Sequence, residues 1–562
     1  GYPLNLVCGG KGNCKKCGVD IEENGEIKRV LSCQTYVYDG LNVMLRDEEQ
    51  KLQILTSSML DNIPVEPSLG SLYFTKDQLK TELGGNNWDT LSRLTDNGVR
   101  YPNLNILRKL SFNYHHRDGI RLIIDQGEIL DVVPGSDKKK VYGIAFDLGT
   151  TSAVGYLYDM EQVAMIGVSS TLNKQTELGG DVITRISYAI TDTNSLLKMQ
   201  KLATDTLNEI IEDICSYHKI NTDDVYFAVI CGNSTMQHLL LGLYPEYLGI
   251  LPFSSTIHSN FETNAKNLCL KINSMGKITF LPLLGGFVGA DTTAALVSLP
   301  KDNKVRLMLD LGTNGELAIG NNTCYKVSST ACGPALEGAQ LTYGMRGTHG
   351  AIERMFIENG DITYNVIGNE KPQGICGSGV IDLVSVLYSS LIINGQGGFE
   401  NPSTIKNQKL ARRLVTIDGK KSFIIAFEDE TQNGQIIYFS QTDIRQVQLA
   451  KGAIYTGCSL IIKEYGIKGE DLEEIVIAGA FGNYIDVKNA QSIGMFPCYK
   501  GVPVRSLGNA AGTGAQMYLI SKKKQAECAQ ISNNAIFIEL ANNPGFMEQY
   551  IMNLNFPTHL KQ

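Results

Sequence analysis

Asp-Leu-Gly-Thr occurs twice in this chain, at residues 147–150 and 310–313, and the two copies share their surroundings. Each follows a short apolar run, 141–146 and 305–309. Each leads through small polar residues into a second strand-like run, 153–158 and 316–319. The pattern predicts two β-hairpins, each with an Asp at the end of its first strand and a Gly-Thr turn. Such a turn lines up backbone N–H groups as a nest for phosphate oxygens. The Asp beside it suits Mg²⁺, which keeps most of its waters and takes few carboxylates. Two copies, one in each half of a duplicated domain, predict a nucleotide whose phosphates are gripped from opposite sides. The repeat thus limits the chain to α/β folds that present both turns at strand ends, where such sheets bind ligands.

A third string, 475–483 (IVIAGAFGN), reads as a strand running into a Gly turn. Together, 143–152 (GIAFDLGTTS), 309–316 (LDLGTNGE) and 475–483 resemble the two phosphate motifs and the adenosine motif of the actin, sugar-kinase and Hsp70 superfamily. The resemblance implies ATP and Mg²⁺. Asp147 and Asp310 would organise the metal and water. Gly149, Thr150 and Thr151, with Gly312, Thr313 and Asn314, would cradle the phosphates, and Gly479, Gly482 and Asn483 would lie near the adenosine. Within 331–339 (ACGPALEGA), Gly333 and Glu337 are expected at the ligand, Glu337 at the ribose. Asp291 is a candidate for positioning the attacking water; the alternative is a helix N-cap. The Gly-rich strings 374–379 and 508–514 suit either a ligand or close packing.

Near the start, Cys8, Cys14 and Cys17 sit in a Gly-rich loop with C-x5-C-x2-C spacing, and Cys33 follows in a strand-like run, 29–37. Four thiolates of this kind suit a [2Fe–2S] cluster, close to the plant-type spacing. Glycines let the backbone approach the cluster and aim N–H groups at its sulfurs. Structural zinc usually takes two C-x2–4-C knuckles, and one is present. Thirteen cysteines scattered through a long chain without a signal peptide do not read as a disulfide framework. Seven residues precede Cys8, so a ferredoxin-like β-grasp domain here is expected to lack its first strands.

The chain is expected to be an α/β multidomain protein: a [2Fe–2S] domain over 1–50, a linker over 51–70, a small α/β middle domain over 71–138, and a duplicated actin-like (RNase H-like) ATPase over 139–300 and 301–562. Helices are expected over 75–83, 88–97, 196–218, 236–243 and 443–465, the last capped by Thr442 and stopped by Gly466. A hairpin is expected over 119–133. A net charge of −8 without a basic stripe argues against nucleic acid. The Lys triplets 138–140 and 522–524 read as solvated faces. No apolar run reaches the roughly 18 residues needed to span a membrane, so the cytoplasm is the expected compartment.

The strings CGGKGNCKKC, GNSTMQHLLLG, DLGTNGE, CGPALEGA, GICGSG, DIRQVQLAKGAI and AGAFGN, in this order from Leu4 to about Gly514, are similar to the reductive activators of corrinoid proteins. That resemblance implies a homodimer. It would take an electron from a low-potential donor and, with ATP, reduce an inactive Co(II) corrinoid protein to Co(I). Two rivals are an activator of 2-hydroxyacyl-CoA dehydratases, with Cys332 or Cys376 ligating a shared [4Fe–4S] cluster, and a redox-sensing actin-fold kinase or binding protein. A kinase would need a catalytic carboxylate and a sugar surface in the first half; neither is identified.

Overall fold

The computed structural model describes residues 18–23, 26–36, 41–44, 65–312, 314–338, 340–479 and 484–558. Cys8, Cys14, Cys17, Thr313, Gly482 and Asn483 lie outside them, as does the side chain of Cys33.

Strands β1 (Gly18–Glu23), β2 (Glu26–Leu31) and β3 (Asn42–Met44) form an antiparallel sheet in the order β2-β1-β3. The strand expected through Cys33 stops at Leu31. Ser32–Gln34 is a 3-10 turn instead, and Thr35 Oγ1 donates to Leu31 O at 2.8 Å across it.

A second sheet, β4 (Leu69–Phe74), β5 (Ile120–Asp125) and β6 (Glu128–Pro134), carries the helices Asn87–Leu94 and Leu104–Asn113. Leu91, Ile106, Leu110, Ile120 and Leu122 are its buried centre. The β5–β6 hairpin falls where the sequence places it. It turns on Gln126 and Gly127, both at positive φ (46° and 80°) as a two-residue hairpin requires. The helix expected over 75–83 is reduced to one turn, Leu79 N to Thr75 O, with Thr75 N and Oγ1 tied to Gln78 Oε1 inside it.

Two six-stranded sheets follow. The first holds β7 (Tyr142–Leu148), β8 (Ser152–Asp159), β9 (Ala164–Leu172), β10 (Val225–Gly232), β11 (Phe261–Asn264) and β12 (Lys277–Phe280), in the order β11-β12-β10-β7-β8-β9. The second begins with β13 (Arg306–Leu311), β14 (Gly315–Asn321) and β15 (Cys324–Thr330). Two three-stranded sheets interrupt it: β16 (Ala351–Glu358), β17 (Asp361–Val366) and β18 (Gly374–Ile375), then β19 (Leu414–Ile417), β20 (Lys420–Ala426) and β21 (Ile437–Ser440). It resumes with β22 (Glu474–Ala478), β23 (Val504–Gly508) and β24 (Ile536–Phe537), giving β23-β22-β13-β14-β15-β24.

The duplication read in the sequence is therefore a duplication of topology. In each sheet an antiparallel meander (β7-β8-β9, β13-β14-β15) is joined on the side of its first strand by two parallel strands (β10 and β12, β22 and β23). Asp147 and Asp310 hold the same position, next to last on the central strand. Those strands read as apolar runs because both their faces are covered.

Packing divides the described residues into two units: 65–299 with 511–533, and 300–510 with 534–558 and the N-terminal residues 18–23, 26–36 and 41–44. In the first, Ile144, Phe146 and Leu148 pack with Ile210, Ile211 and Ile214 of the helix Thr193–His218. This helix starts a turn before the expected Leu196, because Asp192 accepts from Ser195 N and caps it. The sheet β4-β5-β6 is fastened into the same unit. Lys277 Nζ, 5% exposed, meets Asp125 at 2.9 Å and Glu262 at 2.7 Å, and Tyr226 OH donates to Asp131 at 3.0 Å. Lys524, expected in solvent, is buried here, its Nζ donating to Val297 O at 2.7 Å and pairing with Glu527.

In the second unit, Leu307, Leu309, Leu317 and Ile319 pack on Ile454 and Ile461 of the helix Gln441–Tyr465. Its cap is Ser440, not Thr442. The strand β21 runs up to Ser440, so the first unpaired helical N–H groups fall two residues earlier, and Asp443 completes a capping box. Gly466 ends it at φ 91°, as expected.

Candidate functional site

In the first unit, the β7–β8 turn consists of Gly149, Thr150 and Thr151. Its carbonyls are tied from behind. Asn173 Nδ2 donates to Gly149 O at 2.9 Å, Asn173 N to Thr151 O at 2.9 Å, and the Arg185 guanidinium to Thr150 O. Gly149 N closes the turn on Ser152 O at 2.9 Å, where a Cβ on Gly149 would collide at 2.7 Å. Among the described residues, the N–H groups of Thr150 and Thr151 meet no protein acceptor. Anchored carbonyls with outward amides make a preformed anion nest. Asn233 Nδ2 donates to Thr150 Oγ1 at 2.9 Å, while its Oδ1 caps the helix Ser234–Leu241 through Met236 N at 3.0 Å.

Asp291 reaches the same neighbourhood. A Cβ placed on Gly289 would lie 2.6 Å from Asp291 Oδ1 and 2.5 Å from Asn233 Cα. Asp291 is not the N-cap; Gly289 is, and Asp291 is the second residue of the helix Ala290–Ser298. Burial pushes its carboxyl up to about 6, against the hydrogen bond from Thr292 N at 2.7 Å, which favours the anion. A carboxylate poised near neutrality beside a phosphate nest has the protonation range of a general base.

In the second unit, the β13–β14 turn brings Gly312 and Asn314 together, Gly312 N donating to Asn314 O at 3.0 Å. Asp310 pairs in register with Glu316 across the hairpin and with Ala478 on the parallel strand β22. Its carboxylate therefore comes over the next Gly turn. A Cβ on Gly479, itself at φ 86°, would sit 2.7 Å from Asp310 Oδ1. Glu337, on the 3-10 turn Pro334–Glu337, puts Oε1 3.5 Å from the Cβ position of Gly312. Glu337 thus faces the phosphate turn. Gly333 at φ 75° has open space where a side chain would stand.

One thiol lies against this turn, and a second is buried elsewhere in the same unit. Cys332 Sγ donates to Gly312 O at 3.5 Å, and burial, then Glu316 and Glu337, pushes its thiol up. Cys376 is buried against Ile352 O, and burial raises it as well. Cluster ligands are thiolates, and both environments favour the protonated thiol. Burial lowers Arg346, with Glu337 acting the other way, which places a guanidinium in the field of that carboxylate.

Each half therefore assembles its own expected residues: Asp147, Gly149, Thr150, Thr151 and Asp291 in one, Asp310, Gly312, Asn314, Gly333, Glu337 and Gly479 in the other. Sequence reading missed Asn173 and Arg185, and saw in Asn233 only one of two candidate caps, with Ser234, for the helix expected over 236–243. Arg185 did leave a signal, an arginine between Val182, Ile186 and Ala189 on the buried stripe of Val182–Ala189. Among the described residues no group of His, Cys, Asp and Glu could hold a metal by itself.

The corrinoid activation enzyme RamQ of Eubacterium limosum is 49% identical over 560 residues, covering 99% of this chain and 94% of its own. The chain belongs to the family of reductive activators of corrinoid proteins. Residues 304–562 match the family description "C-terminal domain of RACo the ASKHA domain", and residues 142–302 match "RACo middle region". The Co(II) methylated amine-specific corrinoid protein reductase of Methanosarcina barkeri is 25% identical over 438 residues, 74% of this chain and 77% of its own. The solved structure of a reductive activator for corrinoid, iron-sulfur protein superposes with a TM-score of 0.77 at 27% identity, covering 99% of this chain and 94% of that one. The C-terminal half is thus an ASKHA ATPase fold, and this activator is an enzyme. Among the described residues no helix is long and apolar enough to cross a membrane.

Proposed function

We propose that this activator reduces the Co(II) form of a corrinoid protein to Co(I) by one electron, in a reaction driven by ATP hydrolysis. The observation that carries the reading is the full-length likeness to a corrinoid activation enzyme, joined to two phosphate turns at equivalent positions of a duplicated fold. Thr150 and Thr151 offer amides to the phosphates from one turn, and Gly312, Thr313 and Asn314 serve from the other. Asp147 and Asp310 hold Mg²⁺ through its waters, Asp291 takes the proton of the attacking water, and Glu337 fixes the ribose. Gly479, Gly482 and Asn483 lie along the adenosine. Positioning and charge stabilisation supply most of what phosphoryl transfer asks of a protein.

Cys8, Cys14, Cys17 and Cys33 are a donor set that fits a [2Fe–2S] cluster, which when bound supplies the transferable electron at roughly −400 mV. The N-terminal 50 residues form that domain, a linker over 51–70 joins it to 71–138, and the ATPase spans 139–562. The active form is a cytoplasmic homodimer fed by a low-potential donor.

The test is anaerobic. Reduced protein is mixed with a Co(II) corrinoid protein, and the Co(I) absorption band is followed with and without Mg-ATP. Co(I) formed only with ATP is the expected result. ATP hydrolysis and an intact cluster spectrum without Co(I), across a panel of corrinoid proteins, would overturn the assignment.

A further inference from the structure

Between the 3-10 turn Pro334–Glu337 and β16 the chain makes a tight bend that depends on two glycines. A Cβ on Gly338 would lie 2.2 Å from Met345 O, and one on Gly344 2.2 Å from Gly338 O. Met345 N donates to Ile375 O at 2.9 Å, and Thr348 N to Arg346 O at 2.8 Å. The backbone is thus held on both sides of Arg346. The bend returns this arginine to the neighbourhood of Glu337, whose carboxylate acts on its charge. Glu337 in turn faces the phosphate turn, with Oε1 3.5 Å from the Cβ position of Gly312.

Arg346 is half-buried, yet among the described residues its guanidinium makes no hydrogen bond and no ion pair. Other arginines of the same unit are spent. Arg306, Arg354, Arg413 and Arg505 each meet a carboxylate, at 2.6, 3.2, 2.7 and 2.8 Å. A guanidinium carries five N–H donors, and a partly desolvated cation that leaves them unused is costly unless an acceptor arrives. Space for one is present. Among the described residues, only Glu337 Oε1 and Asn314 O come within 4 Å of the Cβ position of Gly312, and nothing does at Gly333. Beside Arg346, the Cβ position of Gly347 meets only Ile367 Cδ1, at 3.8 Å. Charge makes the same demand. A carboxylate facing a phosphate turn repels the anion the turn is shaped for, and a cation beside it offsets that repulsion.

We infer that Arg346 is a phosphate ligand of the second half-site, its guanidinium forking onto oxygens of the nucleotide held at the Gly312 turn. The inference rests on the ATP reading in the proposed function and adds a residue to it. A planar fork matches two phosphate oxygens at once, which a lysine cannot do. A cation fixed at that place before the nucleotide arrives also stabilises the charge that shifts during phosphoryl transfer.

The test is nucleotide binding and hydrolysis by the full-length protein, with no corrinoid protein added. Arg346→Gln is expected to raise the Kd for Mg-ATP and Mg-ADP about tenfold or more, the scale of losing a charge-assisted hydrogen bond. The Kd for adenosine, which carries no phosphate, stays as in the wild type. Arg346→Lys keeps the charge without the fork and recovers part of the affinity. Melting separates this role from a structural one. Without nucleotide, Arg346→Gln melts no lower than the wild type, and its gain in melting temperature on adding Mg-ATP shrinks. A lower melting point without nucleotide, paired with an unchanged gain, overturns the inference and makes Arg346 structural. An equal loss of adenosine binding overturns it too, by moving the guanidinium to the base or ribose. Unchanged Kd values in a wild type that binds Mg-ATP remove the inference alone. A wild type that binds no Mg-ATP removes the ATP reading with it, whereas hydrolysis without Co(I) counts against the proposed function only.

Discussion

Asp291 carries the sharpest functional statement at the scale of a single residue, because its environment opposes its charge. Burial raises its carboxyl from 3.8 to about 6, so the anion needed to accept a proton forms only above that pH. ATP hydrolysis is expected to rise with pH through about 6, and Asp291→Asn to lose that limb together with most of the rate. The same shift has a stability counterpart of fixed sign. A raised folded pKa favours the native state below 3.8 and loses that contribution as pH climbs through 6. Asp291→Asn should therefore melt higher than the wild type at pH 8 and no higher at pH 4. A melting curve that moves equally at both pH values would detach the pKa from the site. Asp310 gives a contrasting case. Asp310→Asn keeps the shape that Gly479 accommodates but removes the charge near Mg²⁺, so hydrolysis should vanish while the cluster absorbance persists. Undiminished hydrolysis would take Asp310 out of the site.

At the scale of elements, the first phosphate turn works because something behind it holds its carbonyls. Arg185 is fully buried and spreads its guanidinium over Thr150 O, Gly179 O at 2.9 Å and Gln175 Oε1 at 3.1 Å. Lysine cannot reproduce a planar fork with several directed donors. Arg185→Met removes the Arg185 donor from the buried Gly179 O, at about 1–3 kcal/mol, and unties the carbonyl of Thr150. It should lower the melting temperature and raise the KM for ATP, and Arg185→Lys should restore neither. A variant with normal melting and normal KM would show that Asn173 and Asn233 suffice. This element also marks what the sequence can reveal. Both turns were legible because Asp, Gly and Thr signal hairpin ends locally, and their repetition pointed to a duplicated domain, while the order of strands came only from the fold. Arg185, and the approach of Glu337 to Gly312, depend on segments brought together only by the fold. The cap at Ser440 was missed for a local reason, since Thr442 is as good a capping residue and only the end of β21 decides between them.

At the scale of the whole molecule, the proposed function assigns ATP and the electron to different stretches of chain. The phosphate turns lie at 147–151 and 310–314, and the cysteines between 8 and 33. A ligand shifts an equilibrium only by its difference in affinity for the two states. For ATP to make the cluster a stronger reductant, it would have to bind differently to its oxidised and reduced forms. None of the cysteines proposed to hold the cluster belongs to either phosphate turn, whose described residues supply amides, hydroxyls and carboxylates, with the Cys332 thiol spent on Gly312 O. ATP is better placed to act on the complex with the corrinoid protein, where binding can alter the axial ligation of cobalt and raise the acceptor potential. The cluster's midpoint potential should therefore be the same with and without Mg-ATP, while the affinity for the Co(II) corrinoid protein changes between the two conditions. A redox titration of the isolated activator, paired with a binding titration, checks both. A potential moved by about 59 mV or more, tenfold in the one-electron equilibrium, would place the coupling inside this chain and remove the partner from that step.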